Sequence, residues 1–158
     1  QLEKLSMTDN AITTLDNVDF PTTLQELSLS NKVSQVQVHS RNRIASLQGA
    51  RLRACSALRT LDLSRNVIES LPPAAPGAFP DSLSDLRLSG NRITHLQGCV
   101  LPSELRRLWL ERNLIDNLQG YAFPPQLTFL ALALNPIALA DNANAIGILV
   151  PPGCSVFI

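Results

Sequence analysis

Apolar residues recur along this chain in a fixed order. Leu83, Leu86, Leu88, Ile93 and Leu96 return as Leu105, Leu108, Leu110, Ile115 and Leu118, and again as Leu127, Leu130, Leu132 and Ile137. An asparagine keeps the same place in each set, at Asn91, Asn113 and Asn135, and the offset is 22 residues each time. A period of this length marks a solenoid, whose units bury their apolar faces against one another. Earlier copies run Leu2, Leu5, Met7, Asn10, Ile12, Leu15; then Leu24, Leu27, Leu29; then Leu58, Leu61, Leu63, Asn66, Ile68, Leu71. Cys154 and Phe157, after Val150-Pro151, begin another, with Cys154 in a core leucine's place. The pattern predicts about six repeats and a truncated seventh, in one domain over residues 1–158.

The spacing explains itself locally. Leu-x-Leu alternates with period two, which predicts a short strand with one buried face. Strand centres fall near Leu5, Leu27, Leu61, Leu86, Leu108, Leu130 and Phe157. The asparagine turns the chain out of the strand, and its side chain can bond backbone groups that the bend leaves unpaired. An apolar-proline pair stands three residues before the first leucine, as in Phe20-Pro21, Phe79-Pro80, Leu101-Pro102 and Phe123-Pro124. Proline lacks an N–H, so the return segments should be extended or 3-10.

The motif apolar-Pro-x-x-Leu-x-x-Leu-x-Leu-x-x-Asn-x-Ile-x-x-Leu resembles the leucine-rich repeat. Its proline resembles the repeats of protist receptor-like kinases and of secreted bacterial effectors, some of which are ubiquitin ligases. The resemblance covers nearly the whole chain. It implies an α/β fold: a right-handed solenoid with one parallel sheet on the inner face and short return segments. It further implies a protein-protein interaction module that binds its partner on the concave face. The alternative is a substrate-binding or regulatory arm of a kinase or ubiquitin ligase whose catalytic domain lies elsewhere.

Two places break the period. Leu24 and Leu58 are 34 residues apart, and Asn42 lies thirteen residues after Leu29 where Asn91 lies three after Leu88. About ten extra residues, Ser30 to Arg41, are therefore expected to leave the solenoid edge. Val33, Val36 and Val38 should give that insertion some packing. Another reading starts a degenerate repeat at Asn31, but nine residues are too few for a coil. The second surplus lies in the proline-rich stretch 71–79, expected as a back-side loop. Leu2 already belongs to a repeat and Ile158 falls inside a strand, so the chain is expected to be part of a longer protein.

The positions between the leucines point out of the sheet and carry the candidate chemistry. The central column reads Ser6, Ser28, Asp62, Arg87, Trp109, Ala131. The column before it reads Lys4, Glu26, Thr60, Asp85, Arg107, Phe129, and the column after it Thr8, Ser30, Ser64, Ser89, Glu111, Ala133. The first repeats are bland. The later ones gather Asp85, Arg87, Arg107, Trp109, Glu111, Arg112 and Phe129 on adjoining strands, and these are the expected partner-binding residues. Tryptophan and arginine are the residue types most enriched where binding energy concentrates.

Composition narrows the field. Lysine plus arginine equal aspartate plus glutamate at 13 each, so nothing in the bulk charge argues for nucleic acid or a membrane surface, and no nucleic-acid partner is expected. No apolar run reaches the ~20 residues that span a bilayer. His39 and His95 are isolated, and no catalytic set, metal cluster or glycine-rich phosphate loop is visible. The sequence therefore predicts a non-enzyme without cofactor or metal. Cys55, Cys99 and Cys154 are odd in number and unclustered, which predicts free thiols and favours the cytoplasm.

Overall fold

The computed structural model describes residues 1–32, 42–73, 78–118, 120–139 and 149–158. Seven three-residue strands form one sheet: β1 (Lys4–Ser6), β2 (Glu26–Ser28), β3 (Thr60–Asp62), β4 (Asp85–Arg87), β5 (Arg107–Trp109), β6 (Phe129–Ala131) and β7 (Ser155–Phe157). They pair in sequence order and all parallel. Leu5, Leu27, Leu61, Leu86, Leu108 and Leu130 stand in one register row that ends at Val156. This is the leucine-rich repeat solenoid. The row is the spine of the core, and Leu61, Leu86, Leu108 and Leu130 are wholly buried.

The last coil departs from the expected register. Cys154 donates its N–H to the Pro151 carbonyl, as Leu127 does to Pro124, so the proline turn is intact. The buried strand position then follows after two residues, not three. Val156 pairs with Leu130, and Phe157 pairs with Ala131 in the outward column. Phe157 was expected in the core; it is 55% exposed. A one-residue shortening moves a side chain to the opposite face.

The asparagines join the coils. Asn113 donates from Nδ2 to the carbonyls of Leu88 and Leu110, both at 3.0 Å, and its Oδ1 accepts the Ile93 N–H at 3.0 Å. Asn42, Asn66, Asn91 and Asn135 repeat these three bonds one coil apart. Five buried amides thus satisfy the backbone groups that the exit from each strand leaves unpaired. Asn10 is exposed and, among the described residues, bonds only the Thr8 carbonyl.

The proline turns close the other side of each coil. The carbonyls of Pro21, Pro80, Pro102 and Pro124 accept from the leucine three residues on, and Cys55 plays the proline's part for Leu58. The return segments are turns and extended chain, with 3-10 turns at Leu52–Ala54 and Pro136–Leu139. Cys55 and Cys99 are buried, Cys154 is half-buried, and all three thiols are unpaired.

Residues 33–41, which hold most of the expected insertion and its three valines, lie outside the described residues, as do 74–77 of the proline-rich stretch. The neck of the first segment is defined. β2 pairs directly with β3, and Asn42 holds the ladder place of the second coil. Asn31 clamps it: Asn31 Oδ1 accepts the Asn42 N–H at 2.7 Å and Nδ2 donates to the Asn42 carbonyl at 3.0 Å.

Candidate functional site

The open face of the sheet presents the outward columns, and its character changes along the solenoid. On β1 and β2 it is small and polar, with a Lys4–Glu26 pair at 2.7 Å and the Ser28 and Ser30 hydroxyls 3.2 Å apart. From β4 onward it carries charge and then aromatic surface.

Asp85 is the pivot of the charged part. Expected as an exposed contact residue, it is only 1% exposed. Two arginines cover it. Arg87 donates from Nε and Nη2 to its two carboxylate oxygens at 3.1 and 3.3 Å, and Arg107 Nε lies 2.8 Å from Oδ2. The reason is geometric: the register sets Arg107 beside Asp85 on the next strand, while Arg87 follows it by two on the same face. Arg87 is held protonated above its usual range, chiefly by its hydrogen bond to Asp85, against the opposing effect of burial. Asp85 thus holds the two guanidiniums in place, and their outer sides stay exposed.

The aromatic part is a continuous row over three strands. Trp109 and Phe157 occupy the central column of β5 and β7, with the small Ala131 between them. Phe129, one column over on β6, fills the gap: its ring centroid is 4.3 Å from that of Trp109 and 5.1 Å from that of Phe157. Ala131 keeps its outward column, yet it is only 1% exposed. The Arg87 guanidinium lies 6.0 Å from the Trp109 ring centroid, at the outer limit of a cation–π contact. The indole N–H is shielded from solvent and has no acceptor among the described residues.

Glu111 accepts a short hydrogen bond from the Ser89 hydroxyl. With Arg87, Trp109 and Arg112 it borders an open depression of about 460 Å³ that reaches Asp62. The structure therefore brings together all seven expected residues, six as surface and Asp85 beneath them. Phe157 was missed. The signal for it was present: Val156-Phe157 fits a buried strand position if the β-branched residue faces the core.

Among the described residues no three His, Cys, Asp or Glu side chains group as metal ligands, and no helix is long and apolar enough to cross a membrane. His95 is exposed on a return turn.

Comparison with known proteins bears on fold. The leucine-rich repeat family model matches residues 57–79, one coil. A search of curated proteins finds no match. The crystal structure of a TLR13–ssRNA13 complex superposes with a TM-score of 0.70 at 24% identity, over 94% of this chain and 20% of that one. YopM from Yersinia enterocolitica WA-314 aligns at 26% identity with a TM-score of 0.49, over 85% of this chain and 33% of that one. The chain thus spans a fifth of the first protein and a third of the second. With one coil matched by the family, seven strands in register and an asparagine ladder through the stack, this chain has the leucine-rich repeat fold.

Proposed function

We propose that this chain is a protein-binding module that docks its partner on the open, concave face of the sheet. The observation that carries the reading is the Trp109–Phe129–Phe157 row. Aromatic rings stacked outside the core offer a large, rigid contact area at small entropic cost. Arg87 and Arg107, held flat by Asp85, flank it with forked donors suited to a partner's carboxylates. Glu111 and Arg112 complete the rim. The reading assigns no catalytic step to the chain. Leucine-rich repeats in general serve as interaction modules, which agrees with it. If the parent protein carries a kinase or ligase domain, the same face becomes its substrate arm.

The solved structure named above holds single-stranded RNA with TLR13. On the sheet face of this chain Lys4, Arg87 and Arg107 stand among Glu26, Asp62, Asp85 and Glu111, so the outward columns are not basic, which favours protein over a polyanion.

The test is affinity capture with the intact chain, Trp109→Ala and Ser28→Ala. A protein retained by the first and third but lost by the second supports the reading. Equal retention by all three sinks it.

A further inference from the structure

Beside the sheet, along the edge where the asparagine ladder turns the chain, four arginines converge. Arg43, Arg65, Arg92 and Arg112 come from four successive coils and line one recess of about 620 Å³. They alternate: Arg43 and Arg92 follow a ladder asparagine, Arg65 and Arg112 precede one. The lining holds no carboxylate. The ion pairs among the described residues use other cations, Lys4, Arg51, Arg87 and Arg107. The adjoining segment 33–41 contains no aspartate or glutamate either, so it has none to offer Arg43. Four of the 13 cations thus crowd one hollow whose own lining holds no carboxylate among the described residues, in a chain whose net charge is zero.

The fold does not call for them. Arg65 and Arg112 sit at φ 60° and 55°, the left-handed region that glycine or asparagine enters at less cost. The equivalent place one coil on from Arg65 is Gly90, at φ 73°. A Cβ there would come within 3.2 Å of the Arg65 side chain, so Gly90 leaves room for that arginine to lie across the floor. The same turn takes Asp9 and Leu134 at φ 55° and 60°, so its backbone asks for no arginine, and four like charges in one hollow oppose folding. Such a group is kept for something it binds.

We propose that this recess is a phosphate-monoester site, and that the phosphate is carried on a side chain of the protein partner. Planar guanidiniums match the oxygens of a tetrahedral dianion, each able to give two parallel hydrogen bonds. A single carboxylate would leave most of the charge unmet. The four guanidiniums reach into one hollow, and its lining holds no aromatic ring on which bases could stack, which favours a phosphate group over a single-stranded nucleic acid. The recess also opens onto the sheet face, sharing Arg65, Ser89 and Arg112 with the depression beside Trp109. That the phosphate arrives on a protein rests on the function proposed above; the anion site itself does not.

The experiment is a titration of the intact chain with inorganic phosphate at fixed ionic strength, followed by nuclear magnetic resonance. Saturable shifts are expected at the four arginine Nε–H groups and the Ser89 and Gly90 amides. Arg65→Asn with Arg112→Asn should weaken phosphate ~10-fold or more while thermal stability stays level or rises, since asparagine relieves the left-handed strain. The same charge change at Arg53→Gln with Arg106→Gln should leave binding unchanged. Equal loss in both pairs, or shifts shared by all surface arginines, overturns the site. A phosphoserine peptide should then compete with phosphate and its unphosphorylated form should not. A single-stranded oligoribonucleotide that fills the recess where the phosphopeptide fails overturns the protein-borne assignment. Trp109→Ala should leave phosphate binding intact, which separates failure of the sheet-face reading from failure of the recess.

Discussion

The first three coils and the last four are built alike and differ in what they show. Leu27 and Leu108 sit in the same register row, equally buried, with the same parallel neighbours. Above them the early coils offer Lys4, Ser6, Glu26 and Ser28, whereas the later ones offer two arginines pinned to a buried carboxylate and three stacked rings. One repeat therefore carries two independent sets of positions. The inward set decides whether a coil stacks; the outward set is free to vary and, on the function proposed, holds the specificity.

The largest effect should come from breaking a ladder asparagine within the stack. Asn113→Ala strips partners from the Ile93 N–H and from the Leu88 and Leu110 carbonyls, all buried. An unpaired buried group costs ~1–3 kcal/mol, so a loss of about 3 kcal/mol or more is expected in urea unfolding. Asn10→Ala, the same repeat position in the first coil, should cost under about 0.5 kcal/mol, because its amide is exposed and holds only Thr8. Equal costs would mean that the ladder does not transmit stability between coils.

Trp109→Ala should weaken partner binding by ~2 kcal/mol or more, read by calorimetry, while Ser28→Ala on the early face does almost nothing. Trp109→Phe separates ring area from the indole N–H. That N–H is buried without an acceptor among the described residues, so its removal offsets part of the lost area, and folding stability should stay within about 0.5 kcal/mol. A large destabilisation would show that the nitrogen has a partner in solution.

The inward set was legible in the sequence because burial forces a fixed period. Six of seven strand centres and the asparagine places followed from counting alone. Phe157 was not legible, because the last coil drops one residue between its proline turn and its strand, and counting from Cys154 carries the error to the opposite face. Asp85 was placed in the right column yet on the wrong side of the surface. Its burial comes from Arg87 and Arg107 folding over it, a choice of side-chain direction that no spacing encodes. The arginine recess escaped for a related reason. Its members alternate between two repeat positions, so neither column alone reads as basic.

The comparison extends to the back of the stack. Burial pushes the Cys99 thiol up to about 11 from its ordinary value near 9. Above pH 9 the unfolded chain gives up this proton while the folded chain keeps it, so stability falls as pH climbs from 9 toward 11 and is flat in this respect below 9. At pH 10 the loss from Cys99 should be about 1 kcal/mol relative to pH 8. Cys99→Ala should remove that share of the slope, measured as urea midpoints under reductant. Tyr121, raised by burial and then by Cys99, adds to the slope at higher pH. An unchanged slope in the variant would show that the thiol ionises freely.

The smallest effect belongs to the early face itself. Lys4 and Glu26 pair at 2.7 Å, but their side chains remain 68% and 50% exposed. The hydrogen bond to Glu26 raises the lysine pKa, so any stabilisation is present at neutral pH and fades only as pH passes the ordinary lysine range. Solvent screens such a pair, and holding two long side chains together offsets most of the attraction. Lys4→Gln should therefore leave the urea midpoint unchanged and partner binding intact. Arg107→Gln makes the instructive counterpart, because it takes one of two guanidiniums from a carboxylate that is only 1% exposed. Its cost should be larger in folding and evident in binding, since Arg87 must then serve Asp85 alone. Lys4→Gln and Arg107→Gln with equal effects on binding would mean that the whole face engages the partner, and the division between early and late coils would fall.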